Sequence, residues 1–282
     1  MKCPFCGSDN PDDVKVCLNC GQGLNDFNTF NISQVVLDFS NEELLQNQIK
    51  EYFFKLLRFR IETELDAKAY RQYFDLYHSS GFYNKFDLRS QQLTEELVDS
   101  ETSKNDSGQK IIQKDLNQIL NTFIDFFIIV YCQPLHKMNL PSAILRYEKV
   151  DEKTLDLKEM ILAFLDFDNE KDKIYKDIVA IPSSKMRNAK EAFLFSQHEE
   201  NIIFLSDQTV FGSCKEGFAM TDKAIYWKAH FNEASKVAYK DLERIKKEGE
   251  WITINDYFFN VNKVMNYKMM KLLQKLRNLN VQ

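Results

Sequence analysis

Four cysteines fall within the first twenty residues, as Cys3-Pro4-Phe5-Cys6-Gly7 and then Cys17-Leu18-Asn19-Cys20-Gly21. Two thiolates separated by two residues in a tight turn reach adjacent corners of one tetrahedron, so two such turns close a site with no open position. Zinc is the ion this donor set selects. Gly7 and Gly21 follow the pairs, where the backbone must fold back with positive φ and aim N–H groups at the sulfurs. Pro4 stiffens the first turn. Residues 7–16, between the pairs, hold too few apolar side chains to make a core. The metal must then supply the folding free energy, about 10–16 kcal/mol in small zinc modules. The expectation is one structural Zn²⁺ held by Cys3, Cys6, Cys17 and Cys20. Two disulfides are the competing reading, disfavoured because CxxC pairs bridge poorly in so small a segment and nothing marks the chain as secreted. A redox CxxC fits less well, since that motif comes singly and opens a helix after a strand.

The pattern C-P-F-C-G-S-D-N-P-(x)₅-C-L-N-C-G-Q-G-L over residues 1–24 resembles the short zinc ribbons at the N-terminus of many bacterial proteins. The resemblance is specific for metal and unspecific for function, because such ribbons serve protein contacts, nucleic-acid contacts or structure alone.

The chain is long enough, at 282 residues, for two ordinary domains beside the ribbon. Its apolar content is aromatic, with 23 Phe and 12 Tyr, while 8 Gly and 5 Pro leave the loops to Asn, Asp, Ser and Lys. That is the composition of a globular chain. Net charge is −5, and the ribbon sets Lys2 and Lys15 against Asp9, Asp12 and Asp13, so it offers no basic face to a phosphate backbone. The solitary Cys132 and Cys214 read as buried thiols. With the zinc thiolates they imply a reducing compartment, and a cytoplasmic protein is expected. No signal peptide precedes the first knuckle. The most apolar run, Ile119 to Cys132, is too short to span a bilayer and contains Asn121 and Asp125, so it reads as a buried helix.

Residues 25–39 read as a polar linker that leaves the ribbon mobile. A helical domain is expected over 40–150. Its first helix is capped by Ser40 with Glu43 and carries Leu45, Ile49, Phe53, Leu56 and Leu57 on one face. Further helices are expected from Asp66 to Gly81, from Leu88 to about Glu101, and from Gln109 to Cys132, giving an α bundle. An α+β domain is expected over 151–282. It has helical patterns at 156–164 and from Ser183 to Phe195, with a charged segment, 166–177, between them. Strands follow within 200–261, at Ile202–Leu205, Gly217–Met220, Ala224–Trp227, Lys236–Tyr239, Trp251–Ile254 and Tyr257–Val261, in one antiparallel sheet. A final amphipathic helix over 263–279 carries Met265, Met269, Leu272, Leu273, Leu276 and Leu279 in a stripe.

The residues Ile181-Pro182-Ser183-Ser184-Lys185-Met186, 207–218 and 221–228, in this β-plus-helix setting, resemble a bacterial pleckstrin-homology-like domain over about 180–280. The resemblance implies a PH-like fold and an interaction role, with no particular ligand. The fold class is thus α+β multidomain: zinc ribbon, central helical bundle, and a PH-like β domain closed by an amphipathic helix.

Other patterns carry less. Asp166, Asp168 and Glu170 alternate like the first ligands of a calcium loop, yet Lys171 stands where such a loop needs glycine. Gly212 and Gly217 have phosphate-loop spacing but lack the Lys-Ser/Thr that completes it. His78, His136, His198 and His230 lie in separate segments, and neither Ser213 nor Cys214 is framed as a nucleophile. Lys263, Lys268, Lys271, Lys275 and Arg277 make the last helix basic, so it either packs on its own sheet with solvated lysines or meets an anionic surface. Three readings follow: a non-enzymatic zinc adaptor acting on a protein partner, a binder of nucleic acid or acidic lipid through the last helix, and an enzyme with a composite interdomain site.

Overall fold

The recurrence of Leu45, Ile49, Phe53, Leu56 and Leu57 builds the buried face of helix α1 (Glu42–Glu64). Its cap is Asn41, whose side-chain oxygen accepts from the N–H groups of Glu43 at 2.8 Å and Leu44 at 3.2 Å. The cap therefore lies one residue beyond the Ser40 expected from the sequence. Asn41 has the extended backbone of a capping residue, while the Ser40 N–H donates to Asp38 at 2.9 Å.

The computed structural model describes residues 1–3, 7–12, 14, 16–19, 24, 37–101, 107–135, 141–147, 155–170, 173–197, 199–229 and 232–279. Cys6, Cys20 and residues 25–36 of the expected linker lie outside them. The chain divides into two units, Met1–Lys137 and Met138–Gln282.

In the first unit α1 packs on α2 (Tyr70–Ser79), α3 (Phe82–Glu101) and α4 (Ser107–Phe126). Helix α3 starts at Phe82 and not at Leu88, because Gly81, with φ +80°, breaks the chain after α2 and lets Phe82 and Phe86 enter the core one turn apart. Helix α4 runs into a π-helical turn, Phe127–Tyr131, closed by the Cys132 N–H on the Phe127 carbonyl at 3.2 Å. The core is aromatic. Ring centroids lie 4.1 Å apart for Phe53–Phe86, 4.7 Å for Phe82–Phe127 and 5.0 Å for Phe54–Tyr77.

The two polar residues of the apolar run 119–132 have a shared partner in α1. Arg60 donates to Asn121 Oδ1 at 3.1 Å and to Asp125 Oδ1 at 2.6 Å, and its Nε lies 2.7 Å from Glu64. Arg60 and Glu64 are buried, so one guanidinium faces two carboxylates and a carboxamide largely out of reach of water.

The second unit mixes helix and sheet. Short helix α5 (Ala143–Arg146) precedes α6 (Leu157–Leu165), which is capped by Asp156 accepting from the Glu159 N–H at 2.9 Å. Strand β1 (Lys173–Tyr175) occupies part of the charged stretch that its composition alone leaves as a turn, and α7 (Ser183–Ala192) follows. Strands β2 (Ile202–Asp207), β3 (Gly217–Thr221), β4 (Ala224–Lys228) and β5 (Ser235–Ala238) complete a five-stranded antiparallel meander in the order β1-β2-β3-β4-β5. Gly217 is required there: at φ +143°, a Cβ would stand 2.0 Å from the Ser206 carbonyl oxygen.

A separate three-stranded antiparallel sheet contains β6 (Ile245–Glu248), β7 (Trp251–Ile254) and β8 (Tyr257–Phe259), so the single sheet of the sequence reading becomes two. Strand β6 escapes a propensity reading because Ile245 is its sole apolar residue; pairing with β7 makes it a strand. Trp227 on β4 donates its indole N–H to the Phe258 carbonyl at 2.7 Å and ties the two sheets together.

Helix α8 (Lys263–Asn278), capped by Asn262, contacts β6 and β7 as well as α6. Covered from both directions, every residue from 265 to 273 is buried, including Lys268 and Lys271. The apolar stripe of the sequence reading is therefore only part of its buried surface. Among the described residues no helix is long and apolar enough to cross a membrane.

Candidate metal centre

The N-terminal lobe begins as a small hairpin. Lys2 and Asp9 form an antiparallel bridge, and within it the Cys3 N–H donates to the Ser8 carbonyl and the Gly7 N–H to the Cys3 carbonyl, each at 2.9 Å. Gly7 has φ +76°, the left-handed conformation its place after the first CxxC pair demands. Cys3 is 2% exposed and Cys17 is fully buried. Among the described residues of the lobe, Val14 and Val16 are the only other buried apolar side chains, too little to shield two thiols by ordinary core packing.

Asn10 joins the two knuckles. Its backbone N–H donates to the Met1 carbonyl at 2.8 Å, and its carboxamide Nδ2 donates to Ser8 O at 3.0 Å and to Cys17 Sγ at 3.3 Å. Its Oδ1 accepts from the Leu18 N–H at 2.7 Å. Because Leu18 N can only donate and Ser8 O can only accept, the amide orientation is fixed and a true N–H faces the sulfur. An N–H donor at sulfur stabilises thiolate, the form that binds metal. The donor chemistry therefore fits Zn²⁺, with Cys3 and Cys17 described and Cys6 and Cys20 completing the set in sequence. Among the described residues there is no group of three or more His, Cys, Asp or Glu placed to hold a metal ion.

The second knuckle also touches the helical body. His78 Nε2, at the end of α2, is hydrogen-bonded to the Asn19 carbonyl, and the ring lies 5.0 Å from Phe74 and 5.5 Å from Tyr83. The mobility expected of the ribbon from its polar linker thus meets a specific contact on α2. Neither Asn10 nor His78 is marked by the sequence: an Asn before a proline reads as a turn residue, and a lone histidine has no partner at ligand spacing.

The basic residues of α8 are distributed differently from a single charged face. Lys268 is buried with Nζ donating to the Asp166 carbonyl at 2.7 Å, Lys271 is buried, and Arg277 donates to the Glu243 carbonyl at 2.9 Å. Lys263 is exposed and Lys275 half-buried. The three acids of the calcium-like pattern point to separate partners: Asp166 to Lys268, Asp168 to Lys176 and Glu170 to Asn262.

The buried ionisable groups of the second unit are held by structural hydrogen bonds. Burial would raise the Glu200 pKa, but donation by the Tyr226 and Thr221 hydroxyls and the Lys236 ammonium outweighs it and holds the carboxyl below its usual range. Burial likewise acts on Asp207, and is overcome by Thr209 and Cys214, whose N–H groups both reach its Oδ1 at 3.1 Å. The Cys214 thiol is pushed up to about 12, first by burial and then by Asp207, and burial raises Cys132 further still. Both are protonated at neutral pH, which is the state of a packing residue and not of a nucleophile.

No family model, curated protein or solved structure matches the chain.

Proposed function

We propose that this protein is a non-enzymatic zinc-binding adaptor, in which the N-terminal lobe and the C-terminal β unit engage a protein partner in the cytoplasm. The observation that carries the zinc assignment is the pair of buried thiols at Cys3 and Cys17, beside only Val14 and Val16 as buried apolar side chains among the described residues of the lobe, one of the thiols receiving an N–H from Asn10. A closed four-thiolate site of Cys3, Cys6, Cys17 and Cys20 has no coordination position left for substrate, so the ion acts by shaping the lobe. The contact of Asn19 with His78 supports a lobe presented on the helical body.

The second unit is read as PH-like. Two antiparallel sheets of five and three strands, linked through Trp227 and followed by a C-terminal helix on the smaller sheet, support that layout. The commitment of Lys268 to Asp166 and the burial of Lys271 favour a packing role for α8 over contact with nucleic acid or acidic lipid.

Elemental analysis of the purified chain tests the premise and should find one zinc per molecule. Comparison of partners retained by the wild type and by a Cys17→Ser/Cys20→Ser variant tests the recognition role. Identical partner sets would remove the lobe from it.

A further inference from the structure

We propose that Asn10 is the positioning residue of the metal centre, an outer-sphere clamp that holds the Cys17 sulfur and the second knuckle in ligating geometry. The inference rests on the zinc reading above and goes beyond its four ligands.

Asn10 makes polar contact with each piece of chain that must be brought together. Backbone bonds at 2.8 Å and 2.6 Å pair it with Met1, at the foot of the strand that carries Cys3. Its side chain reaches Ser8, which closes the first knuckle, and then Cys17 Sγ and the Leu18 N–H, the start of the second. The residue is 7% exposed, so these bonds form largely out of competition with water. Both ends of the carboxamide are used, and they differ in kind. The Oδ1 contact to Leu18 fixes backbone, as any acceptor would. The Nδ2 contact to Cys17 places a partial positive charge on a sulfur that must carry negative charge beside three others, lowering the repulsion within a four-thiolate cage.

The two roles are separable. Asn10→Ala removes all three side-chain contacts, while Asn10→Asp keeps an acceptor for Leu18 and replaces the donor to Ser8 and Cys17 with an anion facing the sulfur. Each full-length variant is titrated with Co²⁺ as the spectroscopic probe against a competing chelator, with far-UV circular dichroism as a control for the helical body. Outer-sphere changes cost metal sites about 10–100-fold in affinity, and a loss of that size is expected for Asn10→Ala. Asn10→Asp should be at least as weak, and the sulfur-to-cobalt charge-transfer band should move in both.

A wild type showing no tetrahedral cobalt–thiolate spectrum would defeat the zinc reading itself, and the clamp with it. A wild type that binds, with Asn10→Ala binding equally tightly, defeats the clamp alone. Asn10→Asp at wild-type affinity with an unmoved band overturns the sulfur contact and reduces Asn10 to a backbone brace.

Discussion

The N-terminal lobe and the helical body it touches reach order by opposite means. In the body, α1 collects Phe53, Phe54, Tyr77, Phe82, Phe86 and Phe127 into one aromatic core, so burial of apolar surface supplies the driving force. In the lobe, the described core amounts to Val14 and Val16 around two thiols. A segment so poor in apolar side chains cannot offset its chain entropy by burial, and on the proposed reading a metal bound by four thiolates would replace the missing core. The two regions are therefore expected to fail independently and under different insults.

The largest effect should come from removing the metal. Chelation, or Cys17→Ser, should forfeit on the order of 10 kcal/mol of binding free energy and unfold the lobe. The helical signal at 222 nm should stay nearly unchanged, and amide exchange should localise the loss to residues before 24. Collapse of the helical signal as well would break the contrast between the regions.

The converse insult is Arg60→Met, which leaves the Glu64 and Asp125 carboxylates in the body without their cation. Breaking a buried pair by removing one partner costs about 3–5 kcal/mol, read as a lowered urea midpoint. Zinc stoichiometry should not change. An Arg60→Met/Glu64→Leu/Asp125→Leu triple variant should recover much of the loss, because it removes all three charges and leaves apolar groups in their place.

The β unit sharpens the comparison, since its buried charges depend neither on metal nor on aromatic packing. Glu200→Gln should cost about 1.5–3 kcal/mol, the scale of hydrogen bonds to a charged group. Glu200 and Asp207 both have depressed folded-state pKa values. Each therefore contributes stability that is fully present above its unfolded pKa, about 4.3 and 3.9, and that is lost as pH falls through the folded value. Urea midpoints of wild type measured from neutral pH downward should decline below about pH 4, and the decline should be shallower in Glu200→Gln. A parallel decline would show that Glu200 does not drive it.

The smallest effect concerns the start of α1. Asn41→Ala should cost about 0.5–2 kcal/mol, whereas Ser40→Ala should be close to neutral. The reverse order in thermal melts would return the cap to Ser40.

Much of the architecture is legible in the chain because it is local. Helical spacing locates α1, α6, α7 and α8 to within a few residues, and short aromatic and β-branched runs locate β2, β3, β4, β5, β7 and β8. The failures are instructive. The break at Gly81 and a helix from Leu88 are legible, but the opening of α3, Phe82–Asp87, is missed, because its aromatic residues join the helix only once they are known to point inward. Strand β6 was hidden because Lys246, Lys247 and Glu248 carry no strand propensity, and the ladder with β7 alone defines it.

What the sequence determined by itself is chemistry at short range: the four-cysteine donor set, the position of Gly7 at a left-handed turn, and the periodicity of the long elements. Ligand spacing and side-chain period are properties of neighbouring residues, and they survive without knowledge of the rest. What only the tertiary structure decided is which polar groups are withdrawn from water and by whom. Lys268 reads as a solvated cation on a basic helix and is instead held by Asp166, 102 positions away. Asp125 for Arg60, Cys17 for Asn10 and Asn19 for His78 are likewise partners that no local pattern announces. Burial is a collective property of packed elements, and the cost of leaving a buried charge or donor unpaired is what selects those partners.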